Sequence, residues 1–102
     1  MDEEIVQAVI ERSQLLCENC YGAGEEFHHI CFGSGKRKQH ETKESVVLLC
    51  SKCHRGTNGI HGKNGRTLDL KLKRRLQEEY FNQGYTEDEV RIKMGGKIYL
   101  EG

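Results

Sequence analysis

Apolar side chains near the start of the chain fall on a helical stripe. Ile5, Val6, Val9 and Ile10 recur at three- and four-residue steps, while Glu11 and Arg12 point elsewhere. This spacing predicts an amphipathic helix over residues 3–13 with Asp2 as its N-cap. The pattern then changes. Phe27 to Ile30 is brief, apolar at both ends and bounded by glycine-rich stretches. It reads as a strand between a turn at Tyr21-Gly22-Ala23-Gly24 and a flexible basic loop at Gly33-Ser34-Gly35-Lys36-Arg37-Lys38. Ser45-Val46-Val47-Leu48-Leu49 is short, continuous and β-branched, the signature of a buried strand. Cys50 to Cys53 leads into a short helical turn, since Gly56, Gly59 and Gly62 oppose a long regular helix there. Leu68, Leu72, Leu76 and Tyr80, at four-residue steps, predict a helix over 67–82 ending near Gly84. Leu68, Leu70 and Leu72 also alternate, so its first turn is equally compatible with a strand. Thr86-x-x-Glu89 is a capping box that opens a short helix to about Lys93. Gly95-Gly96 ends it, and Lys97 to Leu100 reads as an edge strand or an ordered tail.

Composition narrows the class. The 102 residues suit one domain. A chain of this length hides only about two thirds of its unfolded surface. With 35 % apolar and 31 % charged residues, the core is thin and gains from a metal staple. Lys plus Arg and Asp plus Glu both number 16, which argues against strong long-range attraction of the whole molecule to nucleic acid. Charge is nonetheless uneven, with acids at Asp2, Glu3 and Glu4 and basic runs at Lys36-Arg37-Lys38 and Lys71, Lys73, Arg74, Arg75. No stretch approaches a membrane span or a secretory segment. The expectation is a soluble cytoplasmic protein with no membrane partner.

Four of the five cysteines form two pairs, Cys17-x-x-Cys20 and Cys50-x-x-Cys53, separated by 29 residues. Thiolates at i and i+3 of a tight turn reach one ion, and two such turns complete a tetrahedral site. Four soft donors suit a structural Zn2+. Two disulfides or a thiol redox motif are the rival readings, and no thioredoxin-like βαβ pattern surrounds either pair. Cys31 is left over and reads as a small buried side chain.

The histidines fall around these pairs. His28 and His29 are neighbours on the first strand, so their rings leave on opposite faces. One can bind a metal while the other meets substrate. His54 follows Cys53 directly. Asn58 lies one helical turn beyond His54, whereas His61 is seven residues on, about 10 Å along a straight helix. His61 can join His54 on one ion only if the chain bends back, which Gly56 and Gly59 permit. Imidazole is the better transition-metal ligand, so His61 is preferred and Asn58 is the alternative. His40 reads as an ordinary surface residue.

The stretch from Cys17 to His61, with its Cys-x2-Cys, His28-His29-Ile30, Leu49-Cys50-x2-Cys53-His54 and Gly59-Ile60-His61, resembles the zinc-stapled branch of the HNH endonuclease family, of the small phage and prophage type. The tail around Gly84-Tyr85-Thr86-Glu87-Asp88-Glu89 and Gly95-Gly96-Lys97-Ile98-Tyr99-Leu100 is similar too. The resemblance implies an α+β fold: a ββα-metal, treble-clef-like core with a structural four-cysteine zinc site, flanked by helices. The single domain, 1–102, would divide into an N-terminal helix (1–16), the core (17–62) and a helical extension (63–102). It also implies His29 as general base, and His28, His54 and His61 (or Asn58) as ligands of a catalytic Mg2+, Mn2+, Ni2+ or Zn2+. Two positions depart from the family pattern. Ser45 stands at the place of the family Asn, which ties the loop and orients the base, and Phe32 replaces a loop proline.

The expected activity is hydrolysis of DNA phosphodiester bonds with low sequence specificity, leaving 5′ phosphate and 3′ hydroxyl ends. Lys36, Arg37, Lys38, Lys63 and Arg66 are the candidate phosphate contacts. The basic residues of the 67–82 helix read as ordinary surface, because Glu78 and Glu79 share that helix. DNA is the expected partner, with phage recombination or packaging proteins as further ones. The alternative from another class is a non-catalytic zinc module that binds nucleic acid or protein.

Overall fold

The run Val46–Leu49 is where two layers meet. In the computed structural model, which describes residues 1–31 and 41–99, the elements run α1 (Glu3–Ser13), β1 (Glu26–His29), β2 (Val46–Leu49), α2 (Ser51–Arg55), α3 (Arg66–Asn82) and α4 (Glu87–Lys93). The strands pair antiparallel, with Glu26 opposite Leu49, Phe27 opposite Leu48, His28 opposite Val47 and His29 opposite Val46. Strand side chains alternate between faces. Val46 and Leu48 therefore turn toward Val9 and Ile5 of α1, together with Phe27. Val47 and Leu49 turn toward Leu72, Leu76 and Tyr80 of α3 and toward Val90 and Met94. Both faces are covered, which is why β2 shows no polar alternation. The result is a small α+β architecture, a two-stranded sheet with four helices among the described residues.

The free edge of β2 is sealed by one ion pair. Arg12 donates to the carbonyls of Val46 and Lys43, each at 2.6 Å. It also grips Glu18 at 2.6 and 2.9 Å. The Glu18 carboxylate accepts from Leu48 N at 2.9 Å, and Glu18 N donates to Leu48 O at 2.8 Å. An exposed strand edge invites pairing with another chain, and here its outward groups at Val46 O, Leu48 N and Leu48 O are taken.

The helices follow the hydrophobic spacing. α1 starts at Asp2, whose carboxylate accepts from Glu4 N at 2.9 Å. It ends where Gln14 and Leu15 both take positive φ and turn the chain toward the first cysteine pair. The alternating leucines at the start of α3 are helical, because its i+4 row of Leu72, Leu76 and Tyr80 is what packs on the sheet. The cap of α3 is Gln83, with Gly84 at φ 94° just beyond. α4 carries both halves of the Thr86–Glu89 capping box. β1 starts one residue earlier than the apolar pattern indicates and ends before Ile30, although Ile30 N still donates to Ser45 O at 2.8 Å. Residues 97–99 form no strand. They are pinned to α3 by Gln77, which accepts from Tyr99 N at 2.6 Å and donates to Tyr99 O at 3.0 Å. Leu100 and the segment 32–40, with Phe32, Lys36, Arg37, Lys38 and His40, lie outside the described residues. Among the described residues no helix is long and apolar enough to cross a membrane.

The two-faced burial of β2 makes a prediction. Leu49→Ala, at a fully buried position, is expected to lower unfolding free energy by about 2–5 kcal/mol in urea titration. Ile92→Ala, at a residue 66 % exposed, should stay within about 0.5 kcal/mol of the parent.

Candidate metal centre

Two tight turns bring four sulfurs together. In the first, Cys17 N donates to Gly22 O at 2.7 Å and Tyr21 N to Cys17 O at 2.9 Å, while Cys20 N points at Cys17 Sγ at 3.5 Å. In the second, Cys50 is the N-cap of α2 and its Sγ accepts from Cys53 N at 3.4 Å. The hairpin places one turn beside the other. All four Sγ atoms lie within 4.8 Å of one another, and Cys20 and Cys50, from different turns, stand 3.6 Å apart. Tetrahedral Zn–S bonds of about 2.3 Å put sulfurs about 3.8 Å apart. The site fits, and Cys17, Cys20, Cys50 and Cys53 are arranged to hold a metal ion.

The surroundings support thiolates unevenly. Burial raises the Cys17 thiol, but N–H groups of Cys20, Cys50 and Asn19 outweigh it and bring the pKa to about 6. Burial pushes Cys53 up to about 12, and neighbouring thiols add to this. The Asn19 amide opposes that rise by donating to Cys53 Sγ at 3.3 Å. Lys71 holds the other end of the same amide at 3.0 Å, and Arg75 reaches Glu18 O at 3.4 Å. Both α3 bases are exposed, as their helix pattern indicates, and each also touches the first cysteine turn. Lys71 and Arg75, one helical turn apart, brace the first cysteine turn, and Lys73 pairs with Asp69 at 2.9 Å. Cys31 is buried elsewhere in the core, its thiol donating to Met94 O at 3.4 Å.

Three imidazoles form a second cluster. His28 comes from the α3-facing side of β1 and His54 from α2. His61 is delivered by a spiral of turns after α2, in which Ile60 N donates to Cys53 O at 2.9 Å and His61 N to His54 O at 3.0 Å. The backbone folds back that closely only without side chains on the inside. A Cβ at Gly59 would lie 2.6 Å from Lys52 O, and one at Gly62 would lie 1.8 Å from Gly56 O. The ring nitrogens of the three histidines lie within 4.8 Å of one another. Their ring centres are 5.2, 5.3 and 4.8 Å apart, with planes inclined by 61–74°. Imidazoles bound tetrahedrally at about 2.0–2.1 Å would put ring centres about 5.2 Å apart, so three donors of one ion fit this arrangement. Asn58 instead accepts from Asn64 at 3.3 Å through its side-chain oxygen.

Burial, and neighbouring charge after it, favour the neutral form of His28 and His61. Burial, then the charges of His54, His61, His29 and Lys73, lower His28 to about 3. His61 is lowered too, by burial first and then by His54 and Arg55. Glu26 accepts from His54 Nδ1 at 3.1 Å and is clamped by Arg55 Nε at 3.0 and 2.8 Å. These contacts, the His54 bond foremost, hold the Glu26 carboxyl below its usual range. A carboxylate on the outer nitrogen of a histidine fixes its tautomer and leaves Nε2 for a metal.

The remaining predicted residues lie outside this cluster. His29 leaves β1 on the α1-facing side, and its Nε2 pairs with Glu41. Ser45 accepts from Thr42 N at 2.8 Å and donates to Thr42 O at 3.1 Å, closing a tight turn. Lys63 and Arg66 are exposed in the segment after His61. The motifs did not point to Glu26, Glu41 or Asn19. Only Glu26 carried a signal, since two residues before His28 it must share that strand face.

Gly62→Ala is expected to displace His61 and leave the sulfur site intact, so a chelator titration should retain one tightly held zinc and lose any second ion. Acid should also weaken the fold. His28 is lowered from 6.5 to about 3, so between those values the unfolded chain binds more protons and stability rises with pH. Stability is therefore present above pH 6.5 and lost as pH falls toward 3. Glu26 and Glu41, both lowered from 4.5, act in the same direction at the acid end. A urea midpoint at pH 5 equal to or above that at pH 7 would contradict this.

No protein-family model, curated protein or solved structure matches the chain, and the site is read from its own donors and distances.

Proposed function

We propose that the chain is a metal-dependent HNH-type endonuclease hydrolysing phosphodiester bonds in DNA, with β1, β2 and α2 as a ββα-metal core. The observation that carries this reading is the convergence of the His28, His54 and His61 donors within 4.8 Å; His29 is the next residue along β1, on its opposite face.

His28, His54 and His61 would hold one divalent ion, Mg2+, Mn2+, Ni2+ or Zn2+. When bound, such an ion draws charge from a phosphate oxygen and stabilises the charge that develops on the leaving 3′ oxygen. His29 takes the proton from water as the water oxygen bonds to phosphorus and the bond to the 3′ oxygen breaks. The leaving 3′ oxygen takes a proton from solvent and His29 later returns its own to solvent, so the ends are a 5′ phosphate and a 3′ hydroxyl. Glu26 keeps His54 in the tautomer that offers Nε2. Lys63 and Arg66, exposed beyond His61, hold phosphates, joined by Lys36, Arg37 and Lys38. Zero net charge leaves DNA binding to such local contacts, which carry no base information. Cleavage of low sequence specificity follows.

The second reading is a zinc module without catalysis, binding nucleic acid or protein. It is favoured by Ser45, whose hydroxyl closes the turn with Thr42. Such a module holds one ion per chain, where the nuclease holds two.

Supercoiled plasmid incubated with the protein and each divalent metal in turn should be nicked. His29→Ala should slow nicking about 100-fold or more with zinc content and circular dichroism unchanged. Nicking at the parent rate by His29→Ala would remove His29 as the base. A parent that binds a single ion and nicks nothing would favour the zinc module.

A further inference from the structure

We propose that Glu41 is the positioning residue for His29, fixing which ring nitrogen accepts the proton; this inference rests on the nuclease reading. His29 Nε2 and Glu41 Oε2 are 2.5 Å apart, and the two side chains are only 18 % and 15 % exposed. The contact is thus largely screened from water.

Glu41 is itself held from several sides. Its other oxygen, Oε1, accepts from the backbone N of Asp2 at 3.3 Å, the residue that caps α1. The next residue, Thr42, is fixed to β2 and α3. Thr42 N donates to Ser45 Oγ at 2.8 Å, Ser45 N donates to Thr42 O at 3.1 Å, and Thr42 Oγ1 meets the Tyr80 hydroxyl at 2.7 Å. Tyr80 is among the most deeply buried side chains of the core. Three elements therefore converge on the stretch that presents this carboxylate.

The chemistry follows from the donor and acceptor roles. A carboxylate can only accept, so the pair requires the neutral ring to carry its hydrogen on Nε2. The lone pair then sits on Nδ1, which becomes the atom that takes the proton from water. The ring cannot rotate without breaking the contact, and the carboxylate stabilises the imidazolium once the proton has arrived. An acidic partner of a catalytic histidine acts in this way, through tautomer and orientation. Ser45 and Glu41 divide the support: Ser45 shapes the turn, and Glu41 touches the base.

The test uses the full chain with its zinc content measured, comparing the parent with Glu41→Ala and Glu41→Gln. The steady-state kcat for nicking in Mn2+ should fall about 100-fold for Glu41→Ala with KM for DNA within about threefold, because the variant loses orientation and not binding. Added formate should restore part of the Glu41→Ala rate, which a purely structural tie would not allow. Glu41→Gln keeps a neutral acceptor and should fall between the two. Long-range 15N correlation spectra should assign the His29 hydrogen to Nε2 in the parent and show a mixture of tautomers in Glu41→Ala. A parent that nicks DNA while Glu41→Ala keeps the parent kcat and the parent tautomer overturns this proposal alone. A parent that does not nick overturns the nuclease reading and the role of Glu41 with it.

Discussion

Four cysteine sulfurs meet across the two ends of one hairpin. Cys17 and Cys20 precede β1, Cys50 and Cys53 follow β2, and the cluster closes the loop that contains both strands. A structural zinc in such a site contributes about 10–16 kcal/mol of apparent binding free energy. That is comparable with the whole net stability of an ordinary domain, about 5–15 kcal/mol. In a chain with two apolar clusters, an ion in that site would couple its binding to folding. The consequence reaches α2. Its five residues are far too few to form a helix unaided, and Cys50 starts it as N-cap. His54 stands one residue after Cys53, so the sulfur site also decides where that imidazole sits.

Acidic side chains form a second framework laid over the first. Glu18 closes the β2 edge with Arg12, Glu26 holds His54 and Arg55, and Glu41 holds His29. In each case a carboxylate is spent on one internal partner set. Zero net charge in this chain thus describes acids placed where they orient something, in addition to acids that simply face solvent. The bases are used likewise. Lys71 and Arg75 grip the first cysteine turn, so α3 is docked by its polar row as well as by Leu72, Leu76 and Tyr80.

How much of this was legible depends on whether the governing contact is local. The helices over 3–13 and 67–82, the capping box and the paired cysteines are set by neighbours within a few residues, and their spacing announces them. The convergence of His61 with His54 was only half legible. The need for a bend could be stated, but the path required glycine at 56, 59, 62 and 65, each with carbonyl oxygens where a Cβ would lie. That three-residue period is visible in the sequence, and it becomes meaningful only once the i to i−7 hydrogen bonds are known. Lys71 and Arg75 lie four residues apart, so a shared row was readable, but what the row faces was not. Glu26 could have been found by strand parity with His28. Glu41 could not, since its partner is set by a loop and by α1 together.

Donor count separates the two clusters. Four sulfurs saturate a tetrahedral ion and leave no position for chemistry, whereas three imidazoles leave one. Burial points the same way. His28 and His54 are buried, but His61 is exposed, so the triad opens to solvent on the side of its last-delivered ligand. Each of its three rings is positioned by something the sulfur site fixes: β1 through its pairing with β2, α2 through Cys50, and the spiral through the carbonyls of Cys53 and His54. Three rings brought edge to edge, two of them buried, are stabilised little by one another. The scaffold that holds them has its own candidate staple, the four cysteine sulfurs some residues away. Such an arrangement lets an open imidazole site exist in a chain of 102 residues without asking that site to support the fold.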